Sequence, residues 1–277
     1  MRPLLLLFCC LFAFSGDAFS KTLKVVTWNT RWLPGGHPNA TAEEKAAQMK
    51  AAQAIVKAID PDILLCQEVA DEAAARELCS VVPGLQVQVV SNFKTRPQNL
   101  VIASKLPVDS GWFDVWKPSL GADNPPRGYA FAALKLPDGG FLLTYSVHQK
   151  SNLGGVEATT PAREESAKQL RAHLKEMLAL YSPRGKCDVI VGGDFNSSKD
   201  TPEFLNDHSL DLIRGSDLQW VFTDIAPAKR ISIPGEGKYP PNTFDHIFYS
   251  GLKLQSVTVG NAEGVSDHNP VVADFDL

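Results

Sequence analysis

The chain lacks a surplus of positive charge. Its 27 Lys and Arg face 31 Asp and Glu, for a net charge of −4, and its pI is about 5.9. A strong sequence-independent grip on nucleic acid needs a basic surface, so the balance argues against such a binder while leaving room for a local basic patch. Lys94, Lys105, Lys117 and Lys150 are scattered and form no stripe. There is no CxxC pair, so neither a zinc ribbon nor a dithiol redox centre is encoded. Past residue 20 no run is long or apolar enough to cross a bilayer. No low-complexity tract, exact repeat or linker divides the chain.

The composition is that of an ordinary globular protein, 44% hydrophobic and 21% charged over 277 residues. Residues 1–20 stand apart. Arg2 precedes an apolar run over 4–14, and either Ala13-Phe14-Ser15 or Ala18-Phe19-Ser20 offers small residues for cleavage. This reads as an export signal, with a secreted or periplasmic product and a single domain over 21–277. Neither Cys9 nor Cys10 follows the small residues of a lipidated signal, so no membrane anchor is expected. Cys66, Cys79 and Cys187 remain. They allow one disulfide of open connectivity, and none is taken as a nucleophile or metal ligand.

The chain is organised around residues 187–196. Val189, Ile190 and Val191 are a short β-branched run that reads as a buried strand. Gly192 and Gly193 permit a turn or a close approach. Asp194 and Asn196 follow, and alternation points them the same way, with Phe195 opposite. An acid and an amide at a strand mouth suit a phosphate and its metal; a plain Asx turn is the alternative.

Other strands are predicted over 24–29, 63–68, 86–90, 100–103, 243–249 and 271–275, with a hairpin over 129–136 and 141–147. Thr41, Glu43 and Glu44 open a helix that Pro61 ends, with Ala47, Ala51, Ala54, Ile55 and Ala58 as its apolar face. A short helix covers 73–79 and a long one 162–180. Residues 108–126, 151–161 and 199–240 read as loops. Sheets packed on each other with helices outside are the expected architecture.

Strand ends repeatedly carry polar residues: Asn29, Glu68, His148, Asp194 with Asn196, Asp245 with His246, and Asp267 with His268. Such ends converge on a shared rim where ligands bind. The segments TWNTRWL (27–33), DILLCQEV (62–69), SVHQKSN (146–152), GGDFNSS (192–198), FDHIFYS (244–250) and GVSDHNPV (264–271) together resemble the endonuclease/exonuclease/phosphatase superfamily. Within it they are closest to the pancreatic-type deoxyribonucleases, in the family's order and over nearly the whole domain.

The resemblance implies a four-layered α/β sandwich, two packed mixed β-sheets flanked by helices, that hydrolyses a phosphoester with Mg²⁺ or Mn²⁺. It makes Glu68 the primary metal ligand, with Asp267 completing the site and Asn29 holding the metal shell or the phosphate. Asp194 and Asn196 would orient the attacking water and a phosphate oxygen. His268 would be general base or positive partner, oriented by Asp245, and His148 would bond the phosphate or protonate the leaving oxygen. Arg31 and Arg127 stand where the deoxyribonucleases have arginines, as phosphate contacts or surface ion pairs.

Departures are equally specific. Ala70, followed by Asp71 and Glu72, replaces the arginine that enters the DNA minor groove, and the groove-stacking tyrosine is missing. The acid partner of His148 is absent, with Gln98 as a substitute, and the proline-tryptophan signature of inositol phosphatases is absent around Asp245. His37, His173 and His208 read as surface histidines and His246 as a core or supporting residue. Trp112, Trp116 and Trp220 would either line a groove or pack. The expectation is a monomeric, secreted phosphodiesterase with a phosphodiester substrate, nucleic acid first. A phospholipid or small-phosphoester hydrolase and an inactive toxin-subunit module are the alternatives.

Overall fold

Alternation along β1 (Thr22–Leu33) sends Leu23 and Val25 to one face and Val26 and Trp28 to the other, and all four are buried. A strand buried on both faces must lie between two apolar layers. The computed structural model describes residues 22–93, 98–118, 125–235, 237 and 239–277; the expected signal segment and Lys94 lie outside them. α1 (Ala42–Ile59), β2 (Ile63–Val69), α2 (Glu72–Cys79), β3 (Gln86–Val90) and β4 (Asn99–Ser104) follow in the first half. Next come β5 (Val108–Val115), β6 (Gly128–Lys135), β7 (Phe141–His148), α3 (Val156–Tyr181) and β8 (Cys187–Asp194). The chain closes with α4 (Ser209–Arg214), β9 (Gln219–Trp220), β10 (Asp245–Ser250), β11 (Lys253–Val259) and β12 (Val271–Asp276).

The strands form two mixed six-stranded sheets, ordered β11-β12-β1-β2-β4-β3 and β5-β6-β7-β8-β10-β9. Val25, Leu65 and Ile102 of the first meet Ala132, Leu142, Ile190 and Ile247 of the second in a central core. Val26, Trp28 and Leu64 carry α1 and α2 on the outer face through Met49, Val56 and Leu78. Phe131, Tyr145 and Val191 carry α3 and α4 on the other outer face through Leu170, Leu174 and Ile213. The result is the expected four-layered sandwich. Cys66, Cys79 and Cys187 are all free thiols. Burial holds the Cys66 thiol well above its ordinary range and lifts Cys79 to about 12, so neither is a reactive thiolate.

Register places the rim. β8 pairs in parallel with β7, His148 opposite Asp194, and antiparallel with β10, Asp245 opposite Asp194. Three strands thus deliver three functional residues in one row. Gly192 and Gly193 allow the approach: a Cβ on Gly192 would lie 2.7 Å from Leu65 Cδ1 across the sheets, and one on Gly193 2.1 Å from the Val147 carbonyl oxygen.

The structure departs from the sequence reading in several elements. Part of the expected loop over 108–126 is β5, an edge strand with most residues half-buried or exposed, so its alternation is faint. α3 begins at Val156, before Pro161, and Thr159, Thr160 and Arg163 side chains also donate to the Gly155 and Val156 carbonyls at its start. The buried face of α1 is Met49, Ala52 and Val56; Ala47, Ala54 and Ala58 are exposed, because in an alanine-rich helix the few bulky side chains choose the face. The 199–240 region contains α4 and β9, and β11 was not foreseen.

Gly193→Ala should lower stability by about 1–3 kcal/mol, the usual cost of forcing an atom into a packed site. Urea denaturation should show a lower midpoint at unchanged slope. A midpoint equal to wild type would mean that β7 and β8 tolerate a separation they do not have here.

Candidate active site

Asp194, at the end of β8, is buried, and its carboxyl group gathers the site around it. Oδ1 accepts the Asn196 N–H at 2.9 Å. Oδ2 accepts from Asn29 Nδ2 at 3.0 Å and lies 3.3 Å from His148 Nε2 and 3.7 Å from His268 Nε2. Asn29 also reaches Glu68 Oε1 at 3.4 Å, and Glu68 Oε1 lies 3.9 Å from His148 Nε2. Glu68 Oε2 accepts the Trp32 N–H at 3.2 Å. His268 Nδ1 is 2.8 Å from Asp245 Oδ2. Asn29, Glu68, His148, Asp194, Asp245 and His268 therefore converge, although Asp245 opens β10 and His268 lies in the loop before β12 instead of at strand ends. Asp194, Asp245 and His268 offer ligand atoms all within 4.8 Å of one another.

The loop carrying His268 is clamped to β1. Trp28 Nε1 donates to the His268 carbonyl at 2.9 Å, Ser266 Oγ donates to the Asn29 carbonyl at 2.8 Å, and Ser266 Oγ accepts the His268 N–H. Ser232 Oγ accepts the Asp245 N–H. The backbone is strained at this rim. Of six non-glycine residues with positive φ among the described residues, Arg31, Trp32, Glu68, Arg127 and Asn196 lie here; the sixth, Asp60, caps α1. Each such conformation costs about 1–3 kcal/mol and persists only where the surroundings impose it.

Environment separates the two histidines. Burial works against charge on His268, but Asp245 and then Asp194 outweigh it and lift the imidazole to about 10. His148 has no acid on Nδ1, and burial, with Arg127 and His268 adding, holds it well below its ordinary range. Burial raises the Asp194 carboxyl, and the nearby Asp245 adds to the rise against the pull of His268. The surroundings therefore favour the charged form of His268 and the neutral form of His148.

The geometry adds detail at the predicted site residues and corrects two readings, the alternation of Asn196 and the substitution by Gln98. Asn196 does not continue the alternation of β8. It has φ 50°, and its side chain donates to the Gln149 carbonyl while its N–H reaches Asp194. Asn29 turns its amide donor to the Asp194 and Glu68 carboxyl groups and its oxygen to the Arg31 N–H at 3.0 Å. Arg127 donates to the His148 and Gln149 carbonyls at 3.1 and 2.7 Å, bracing the end of β7. Gln98 does not replace the missing acid, for His148 Nδ1 has no hydrogen-bond partner among the described residues. Arg31 and Asp267 are half-exposed, with Nε 4.0 Å from Oδ2.

His246 is buried between Trp220 Nε1 and the Ser197 carbonyl, as expected for a supporting residue. His173 is not a surface histidine: it packs among Trp112, Tyr129 and Phe131 and bonds the Tyr145 hydroxyl. Trp112, Trp116 and Trp220 join the same packed layer as α3 and α4. Sequence reasoning missed Arg163, buried on the apolar stripe of α3 with Ala167 and Leu170. The signal was a charge one turn before that stripe.

The sequence pattern of the endonuclease/exonuclease/phosphatase family matches residues 26–268. A search of curated proteins finds no match. Among solved structures, an endonuclease/exonuclease/phosphatase protein from Bacteroides vulgatus is similar at TM-score 0.71 and 18% identity, over 93% of this chain and 99% of that one. Truncated TDP2 from Caenorhabditis elegans is similar at TM-score 0.67 and 19% identity, over 92% and 98%. A mannosyl-6-phosphatase from Bacteroides thetaiotaomicron is similar at 0.65 and 18%, over 92% and 100%.

The charge separation has a sign that can be measured. His268 holds its proton more tightly folded than unfolded, so the Asp245–His268 pair stabilises the protein fully below pH ~6.5 and loses that contribution as pH rises towards about 10. Histidine ring NMR on metal-free protein should find His268 protonated and His148 neutral at pH 7. Asp245→Asn should move the His268 midpoint down. An unchanged midpoint would remove Asp245 as the cause.

Proposed function

Because the chain belongs to the endonuclease/exonuclease/phosphatase family, we propose that it is a secreted phosphodiesterase that works with a divalent cation, Mg²⁺ or Mn²⁺. The observation that carries the reading is a buried carboxyl group, Asp194, bracketed by one charged and one neutral histidine. The donor set fits a hard cation. Glu68 and Asp267 bring carboxyl oxygens to the rim, beside the Asp194, Asp245 and His268 group whose ligand atoms all lie within 4.8 Å of one another. Asp245 is committed to His268, so Glu68 and Asp267 would hold the ion, with Asn29 fixing the Glu68 carboxyl group. A bound cation supplies charge neutralisation on the phosphate and leaving oxygens.

The chain's own residues supply the rest. Asp194, its proton affinity raised by burial, accepts the proton of the attacking water. The Asn196 N–H fixes the other Asp194 oxygen and so its direction. His268, charged and held by Asp245, donates a hydrogen bond to a non-bridging phosphate oxygen, which makes it a positive partner and not the base. His148 hydrogen-bonds at the same oxygen row, with Arg127 holding its backbone. Arg31 is free to swing from Asp267 to a phosphate, where a forked guanidinium suits the oxygens. An intact site argues against an inactive binding module. The leader-like residues 1–20 support export.

The groove-binding cation of the deoxyribonucleases is replaced by helix chemistry. After Glu68 and Ala70, Asp71 caps α2 and Glu72 pairs with Arg76. Small or single-stranded phosphodiesters are therefore the preferred substrates over duplex DNA. A phosphomonoester is the second reading, favoured by the likeness to the mannosyl-6-phosphatase.

Exhaustive chelation should abolish hydrolysis of bis-nitrophenyl phosphate, and Mg²⁺ should restore it. Glu68→Gln should lower kcat by roughly 10²-fold or more, the scale of a lost electrostatic partner. Activity that survives chelation would sink the cation. Asp245→Ala and His268→Ala should each be severe, and the double variant little worse than the worse single.

Across supercoiled plasmid, single-stranded oligonucleotide and bis-nitrophenyl phosphate, plasmid should turn over slowest, with a shallow dependence on salt. Plasmid cleaved fastest, with a steep dependence, would make this a duplex nuclease.

A further inference from the structure

Arg163 is fully buried and lies outside the set of strand ends. Its Nε donates to Asp207 Oδ2 at 2.6 Å, a buried ion pair. NH1 donates to Asn152 Oδ1 at 2.7 Å, Thr159 Oγ1 at 2.8 Å and the Lys150 carbonyl at 3.2 Å. NH2 donates to Thr160 Oγ1 at 3.0 Å and the Val156 carbonyl at 3.2 Å. One guanidinium thus ties α3, the 150–155 loop and the segment before α4 together. A buried charge needs such full satisfaction to be tolerated at all.

Asn152 passes the constraint on. Its oxygen is held by Arg163, which leaves its amide as a donor, and Nδ2 donates to the Asn196 carbonyl at 3.0 Å. Asn196 is the left-handed residue whose N–H bonds Asp194 Oδ1. Asparagine tolerates this conformation better than most residues, and hydrogen bonds on either side fix how its backbone is turned. The Asn196 side chain, bonded to the Gln149 carbonyl, fixes it on one side. Asn152 fixes it on the other.

We infer that Asn152, held in its orientation by the buried Arg163–Asp207 pair, is a positioning residue that fixes the Asn196 backbone by its carbonyl, and so the direction of the Asn196 N–H that holds the Asp194 carboxyl group for reaction. The inference rests on the hydrolase reading above. It assigns Asn152 no contact with substrate and Arg163 no part in the chemistry. Small displacements of a reacting group lower turnover far more than they lower binding, so the expected signature is a loss in kcat with little change in KM.

Asn152→Asp separates positioning from stability. It keeps an oxygen for Arg163 but turns a second oxygen, in place of the donor, towards the Asn196 carbonyl. Arg163→Ala is the obvious variant but leaves Asp207 buried and unpaired, so misfolding would obscure its result. For Asn152→Asp the melting temperature should fall by only a few degrees, the scale of one lost hydrogen bond, and hydrogen exchange at the Asn196 amide should quicken by about tenfold or more. With bis-nitrophenyl phosphate and Mg²⁺, kcat should fall by about tenfold or more while KM changes less than about threefold.

Exchange is read on the free protein without substrate, so it tests the relay even if the phosphodiesterase reading fails. Wild-type exchange at Asn196 in Asn152→Asp would overturn the inference. So would quickened exchange with unchanged kcat, which would make the contact purely structural. A raised KM at unchanged kcat would overturn it too, by making Asn152 a binding residue. No turnover by the wild-type protein, with exchange behaving as expected, would sink the hydrolase reading and leave the relay in place.

Discussion

A carboxyl group removed from water is stable only where donors replace the water, and Asp194 is the group on which this structure turns. It sits between two sheets with almost no exposure. Its oxygens are met by a backbone N–H of Asn196, the amide of Asn29 and two imidazoles. These donors come from β1, β7, the turn after β8 and the loop before β12. Losing any one leaves part of a buried acid unmatched, so four distant segments are bound to one another by the requirement of a single side chain. The clamps at Trp28, Ser266 and Ser232 follow from it, since each fixes a donor or the partner of a donor.

The pairing of the strands makes this convergence cheap in sequence. Parallel partners such as β1 with β2 and β7 with β8 end on the same side, so residues at their last positions share a rim without long loops. The cost appears as backbone strain at Glu68, Arg127 and Asn196, where the chain leaves its strand sharply enough to aim a side chain across the rim. It appears also as glycine at positions 192 and 193, where even a methyl group would meet the neighbouring sheet or strand. Strain and close approach at one place mark a surface kept for chemistry at some expense to stability.

How much of this was legible in the sequence differs by kind of residue. The strand ends were legible because polar residues closing apolar runs break a strong local pattern: Asn29, Glu68, His148, Asp194 and Asp245 all reached the rim that pattern implied. The sandwich was legible because runs such as 63–66 and 189–191 are apolar on both faces. The edge strand β5 was not, since its residues are half-exposed and alternate weakly. Nor was the buried face of α1, where alanines fill every side and only Met49 and Val56 carry the weight of packing. The start of α3 was hidden by Pro161, which reads as a helix boundary although the helix begins five residues before it. Arg163 was hidden for a related reason. A charge is read as exposed unless its partner is known, and Asp207 is 44 residues away.

The difference between the two histidines shows how one missing acid can set a site's charge. Both rings are buried, and burial alone would leave both neutral. His268 has Asp245 at 2.8 Å, on the strand beside Asp194, and that contact overcomes the cost of burying its charge. His148 has no carboxyl group on Nδ1 and lies near the cationic Arg127, so its ring stays neutral. With two charged rings the site would hold a phosphate strongly in every state and gain little in the transition state. With none, nothing in the chain would meet charge accumulating on the phosphoryl oxygens. On the proposed mechanism, a single fixed cation beside a carboxyl group of raised proton affinity would give both a base for water and a partner for the developing charge. The lack of an acid on His148 Nδ1 would then be as much a part of the chemistry as the presence of Asp245 on His268 Nδ1.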